Sequence, residues 1–128
     1  DIVNFSKKRC PLNHPSVMFR KDSVLEAGGY KHMPHFEDYY LWMRMILNNS
    51  KFFNIQEPLV NMRVGLDQIR RRSGLEYAIS EVKFQKILLR NGFINHWYFY
   101  NVGLVKFLFR VSPKFIVKFF YRQLRVFF

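Results

Sequence analysis

Hydrophobic and polar positions change rhythm several times along the chain, and each rhythm predicts an element. Residues 16–20, Ser-Val-Met-Phe-Arg, alternate and are β-prone, which predicts a short strand. Ser23 and Glu26 have capping-box spacing ahead of Gly28-Gly29, which predicts one or two helical turns over 23–27. After Pro34-His35 the period becomes helical. Tyr40, Met43 and Leu47 recur at 3 and 4 spacing, predicting a helix over about 37–48 with these residues on its core side and Asn48-Asn49-Ser50 as its stop. Residues 51–55 and 59–63 read as two strands around a Glu57-Pro58 turn. A basic loop follows over 64–74, then a helix over about 75–90 ended by Asn91-Gly92. Residues 93–128 read as two helices broken at Ser112-Pro113, because proline fits a first helical turn and not an interior. The order is mixed α/β followed by all-helical, which divides the chain into 1–92 and a tail, 93–128.

Composition sharpens that division. The chain has 128 residues, of which 49% are hydrophobic and 19% aromatic, so it can form a core and is not a disordered segment. Net charge is +12, yet all nine acids lie at or before Glu81 while nine lysines and arginines follow it. The polar half and the basic, aromatic half therefore need separate readings. Cys10 stands alone and cannot form an internal disulfide, which fits a reducing compartment; its spacing suggests nothing beyond a small buried residue. No signal peptide is visible, and no run of about 18 uncharged apolar residues predicts a membrane span. The chain opens on Asp1 in what reads as mid-protein sequence, so we expect a piece of a longer protein.

The densest chemistry lies in His35-Phe36-Glu37-Asp38-Tyr39-Tyr40-Leu41-Trp42-Met43-Arg44-Met45. Two adjacent carboxylates open a helix whose N-terminus favours negative charge, which helps keep Asp38 ionised as a general base requires. Asp38, Trp42 and Met45 share one helix face, and a carboxylate above an indole could hold a sugar hydroxyl. The alternative from spacing alone is a capping acid beside a structural tryptophan. His32 and His35 have i, i+3 spacing, but Met33-Pro34 between them argues against an aligned metal site. His14 and His96 read as structural or surface residues.

Three ordered motifs carry a resemblance. Asn13-His14-Pro15-Ser16-Val17-Met18-Phe19-Arg20, Val24-Leu25-Glu26-Ala27-Gly28-Gly29-Tyr30 and Phe36 to Met45, with Phe53 to Val60 downstream, resemble the second half of family 2 glycosyltransferases. The closest likeness is to bacterial enzymes of surface-polysaccharide assembly, of the amylovoran-biosynthesis type. It covers about 10–92 and is less sharp over 93–128. The resemblance implies an α/β fold: the C-terminal, acceptor-side half of a GT-A nucleotide-diphospho-sugar transferase, followed by C-terminal helices. It implies Asp38 as catalytic base, with Glu37 orienting it or bonding the acceptor, and Trp42 and His35 at the acceptor. It places Arg71 and Arg72, with Arg63 assisting, near the donor diphosphate. Processive members carry Gln-x-x-Arg-Trp there; Gln68-Ile69-Arg70-Arg71-Arg72 keeps the Arg and replaces the Trp.

The partners implied are a nucleotide-sugar donor and a saccharide or polyprenyl-linked acceptor. A divalent metal (Mn or Mg) is implied for the full-length enzyme, with ligands outside this chain, because no Asp-x-Asp is present. The piece alone is then expected to be inactive and, with an uncovered sheet edge and apolar surface, to self-associate. Lys106, Arg110, Lys114, Lys118 and Arg122 recur every four residues among nine Phe, a stripe suited to an anionic lipid surface or to packing on the missing half. The implied location is cytoplasmic, peripheral at the inner face of the plasma membrane. A non-catalytic membrane- or nucleic-acid-binding basic domain is the rival reading. Nucleic acid is disfavoured because Phe in excess of Tyr and Trp suits burial better than base stacking.

Overall fold

The computed structural model describes residues 2–61 and 71–112. Among the described residues five α-helices follow one another: α1 (Ile2–Lys8), α2 (Lys21–Glu26), α3 (Glu37–Leu47), α4 (Leu75–Arg90) and α5 (His96–Val111). A 3-10 turn, His14–Ser16, lies between α1 and α2.

Helix α3 is central because two of its faces are apolar. Tyr39 and Met43, with Phe36 just ahead, pack on Tyr77, Phe84 and Leu88 of α4 and on Phe93 and Ile94 beyond it. The Phe36 and Phe84 rings stack with centroids 5.0 Å apart. Leu41, Trp42 and Met45 pack on Val24 and Ala27 around α2. Of the three positions expected on the core side, Met43 is fully buried, Tyr40 is partly buried and Leu47 is exposed. Two burying faces, rather than one, displace the expected stripe.

The helix stops follow one device. At the ends of α2, α3 and α4 a residue with positive φ (Gly28, Asn49 and Gly92) turns the chain. The next amide then reaches back to the last turn. Gly29 N–H donates to Val24 O, Ser50 to Met45 O and Phe93 to Leu88 O, each at 2.9 Å. This is the Schellman arrangement, which satisfies carbonyls the helix leaves unpaired. Arg44 then ties α3 to the end of α2. Its Nη2 donates to Gly29 O at 2.6 Å, its Nη1 to Ala27 O, and its guanidinium lies 4.6 Å from the Tyr40 ring centroid.

The expected strands are absent. Residues 16–20, 51–55 and 59–61 carry no strand, nor does any other described residue; 62 and 63 lie outside the description. Val17 and Arg20 have extended backbones, but an extended run becomes a strand only beside a partner. The described residues are helical, so the expected α/β class is not displayed among them. The capping box at Ser23 also fails, because α2 begins earlier, with Arg20 at its N-cap.

The described part of the tail, 93–112, packs on the preceding helices. Phe93 and Ile94 are buried in the α3–α4 core, and α5 packs along α4. Gly103 permits that closeness, since a Cβ there would lie 2.8 Å from Gln85 Oε1. Lys106 and Arg110 do not form an outward cationic stripe. Both turn onto α4, where buried Glu81 meets Arg110 Nε at 2.9 Å and Lys106 Nζ at 3.8 Å. The outward face of α5 is instead apolar, with Trp97, Tyr100, Leu104, Leu108 and Val111 exposed. Lys114, Lys118 and Arg122 lie outside the described residues, as does the helix expected after Pro113.

Candidate functional site

The first turn of α3 presents Glu37 and Asp38, both partly buried. Phe36, at the N-cap, offers no side-chain acceptor to this end of the helix. Asp38 Oδ1 accepts from the N–H of Tyr39 at 2.7 Å, which fixes the carboxylate against the helix start. The helix N-terminus adds a favourable field for its charge. His35 precedes the turn in the left-handed backbone region, φ 69°. Its exposed imidazole lies across Tyr77, with centroids 5.0 Å apart.

The charge of Asp38 acts on two neighbours. Burial, and then the Asp38 carboxylate, raise the Tyr30 phenol above its ordinary value. Burial, and then Asp38, push the Cys10 thiol up to about 11, against a smaller opposing pull from Arg72. Cys10 donates to Leu12 O at 3.3 Å. A thiol held this high is a poor nucleophile at neutral pH.

Rings close the α2-facing side. His14 meets Tyr30 edge-on at 5.8 Å and Trp42 at 6.1 Å, and Phe19 lies 6.1 Å from Trp42. Trp42 itself is only 1% exposed. Its shared face with Asp38 is therefore a packing face, and the indole supports the floor of the region rather than offering a surface to a sugar. Its Nε1 is buried without a hydrogen-bond partner among the described residues. Tyr30, half exposed beside Asp38's field, is the more accessible ring. Sequence reasoning quoted Tyr30 only as the end of a Gly-Gly-Tyr motif and gave it no role.

On the other side, His35, Arg71, Arg72 and Tyr77 line a shallow cavity of about 230 Å³. Two candidates for a diphosphate, Arg71 and Arg72, thus share one hollow with the acceptor candidate His35. Arg63 lies outside the described residues. Neither Glu37 nor Asp38 is among the residues that line this hollow. Among the described residues no group of three or more His, Cys, Asp and Glu could hold a metal ion. His32 is exposed and joins no such group.

Comparison with known proteins gives a consistent result. No protein-family model and no solved structure matches the chain. Curated proteins do. The UDP-Gal:alpha-D-GlcNAc-diphosphoundecaprenol beta-1,3-galactosyltransferase of Escherichia coli is 38% identical over 112 residues, covering 88% of this chain and 41% of that protein. The amylovoran biosynthesis glycosyltransferase AmsE of Erwinia amylovora is 34% identical over 126 residues, covering 96% and 46%. The O-antigen biosynthesis glycosyltransferase WbnJ of Escherichia coli is 30% identical over 105 residues, covering 77% and 41%. The chain is similar to glycosyltransferases along most of its own length and spans less than half the length of these relatives.

Proposed function

We propose that this chain is the acceptor-side half of an inverting family 2 glycosyltransferase of the GT-A type, acting in polysaccharide assembly. One observation carries the reading. The match covers 112 of the 128 residues, so it takes in α3, whose first turn holds Glu37 and Asp38. The α/β sheet of a GT-A fold would be completed by the rest of the protein, with residues 16–20 and 51–61 beside it.

In this reading the Asp38 carboxylate takes the proton of an acceptor hydroxyl. The oxygen attacks the anomeric carbon in line, and the bond from that carbon to the diphosphate breaks. The nucleoside diphosphate leaves with the bonding electron pair, and the configuration inverts. Glu37 orients Asp38 or bonds the acceptor, and His35 lies at the acceptor's edge. Arg71 and Arg72, with Arg63 assisting, neutralise the departing diphosphate. A divalent metal, held by residues outside this chain, would supply further neutralisation at the diphosphate. The donor is a sugar nucleotide, as in the name of the galactosyltransferase relative, and the acceptor a saccharide or lipid-linked saccharide.

A peripheral position at the inner face of the plasma membrane belongs to this reading. No described helix is long and apolar enough to cross a membrane. The outward apolar face of α5 supports an interfacial placement or a seat for the remainder of the protein. The same face, with exposed Phe53, Ile55, Leu59 and Val60, leads us to expect self-association of the isolated chain. Sedimentation as a clean monomer would remove that expectation.

The test uses the full-length protein with a panel of sugar nucleotides, a membrane extract as acceptor, and Mn²⁺ or Mg²⁺. Release of nucleoside diphosphate that requires both acceptor and Asp38 supports the reading. Equal release by wild type and Asp38→Asn removes Asp38 from the base role.

A further inference from the structure

Arg110 grips one segment twice. Its Nη1 donates to Arg72 O at 2.9 Å, and its own backbone carbonyl accepts from Gly74 N–H at 3.0 Å. The guanidinium is fixed in turn. Its Nε bonds Glu81 Oε2 at 2.9 Å, and it lies 4.7 Å from the Tyr77 ring centroid. Glu81, with its side chain only 8% exposed, is the anchor, and Lys106 at 3.8 Å is its second cation. Lys106 also donates to Lys8 O at 2.8 Å, so the α5 face ties the end of α1 to the same network.

The gripped segment borders the cavity. Arg72, Arg71 and Tyr77 all line it with His35. Arg71 and Arg72 line the cavity itself, and the guanidinium groups there suit an anion. A planar guanidinium can span a carboxylate and a carbonyl at once, whereas an ammonium is a point charge without that fork.

We propose that Glu81 and Arg110 are positioning residues that hold the 71–74 segment at the cavity and so set its affinity for a diphosphate. The naming of the diphosphate as a sugar-nucleotide donor rests on the glycosyltransferase reading; the clamp does not. Arg110 touches no substrate in this scheme. It acts by fixing where the Arg71–Arg72 backbone lies, which limits the rotamers the two side chains need to reach an anion.

The test needs no sugar transfer, so its failure is separate from failure of the transferase reading. Amide hydrogen exchange is measured on the full-length protein with Arg110→Gln and Arg110→Lys, then inorganic pyrophosphate is titrated into each. Amides over 71–76 should exchange about tenfold faster in Arg110→Gln, the low end expected for losing a charge-assisted hydrogen bond, with α3 amides 41–45 unchanged. Arg110→Lys should resemble Arg110→Gln despite its charge. Pyrophosphate affinity should fall about tenfold in both. Lys83→Gln, which removes an exposed cation on α4, should leave affinity unchanged. Wild-type exchange over 71–76 in Arg110→Gln overturns the clamp, as does full protection restored by Arg110→Lys. Pyrophosphate affinity that stays level, or that falls equally in Lys83→Gln, overturns its role in anion binding.

Discussion

Asp38 and Glu81 are both carboxylates on helices, in opposite circumstances. Asp38 opens α3, is partly buried, accepts the N–H of the next residue, and forms no ion pair among the described residues. Glu81 sits inside α4, is buried, and holds Arg110 and Lys106. A carboxylate locked between two cations cannot take a substrate proton without breaking its pairs. One poised at a helix start can. Pairing, more than residue type, sorts the acid that maintains the fold from the acid available for chemistry.

The sharpest way to break that contrast is to neutralise each acid in turn. Asp38→Asn in the full-length enzyme should lower transfer about a hundred- to ten-thousandfold, the range general base catalysis supplies. Its urea midpoint should stay near wild type, checked beside initial rates of diphosphate release. Glu81→Gln should show the reverse emphasis. It leaves two cations without their counter-charge and should cost about 3 kcal/mol of stability by urea unfolding, at the lower end for a buried pair because both cations keep some water.

A smaller effect tests the Arg44 tie. Gly28→Ala forces a side chain into positive φ, with its Cβ 3.4 Å from Arg44 Nη1, and should cost about 1–2 kcal/mol. The smallest uses Cys10 as a reporter of Asp38's charge. Its thiol, pushed up to about 11 chiefly by burial and then by Asp38, should alkylate slowly near pH 8. Asp38→Asn removes one raising cause, so the alkylation midpoint should move down. The folded value exceeds the ordinary 9.0, so the stability Cys10 contributes is complete below about pH 9 and lost as pH rises through about 11.

The residues that carried the sequence reading are those whose signal is local. Asn48-Asn49-Ser50 and Asn91-Gly92 marked helix ends to within a residue, because a left-handed stop is written in adjacent residues. Glu37-Asp38 at a helix start was legible for the same reason. What depends on distant partners was not. Alternation over 16–20 looks like a strand, but only a neighbouring chain segment makes one. The Lys106–Arg110 spacing suggested an outward stripe, since nothing local reveals that Glu81, 29 residues before Arg110, draws both cations inward. Trp42 looked available beside Asp38, because a shared helix face does not say what packs on it.

The double grip of Arg110 also has a consequence in time. On a ribosome the chain emerges from its N-terminal end, and Arg72 leaves the synthetic centre 38 residues before the residue that holds it. At roughly 5–20 residues per second that interval is about 2–8 s, far longer than α4 needs to wind. The helices around Asp38 can therefore assemble first, while the arginine pair waits for a segment not yet made. Among the described residues the 71–74 side of the cavity is therefore completed after α3 and α4, and a nascent chain stalled before Arg110 would carry Glu37 and Asp38 without the contacts that hold Arg72 and Gly74.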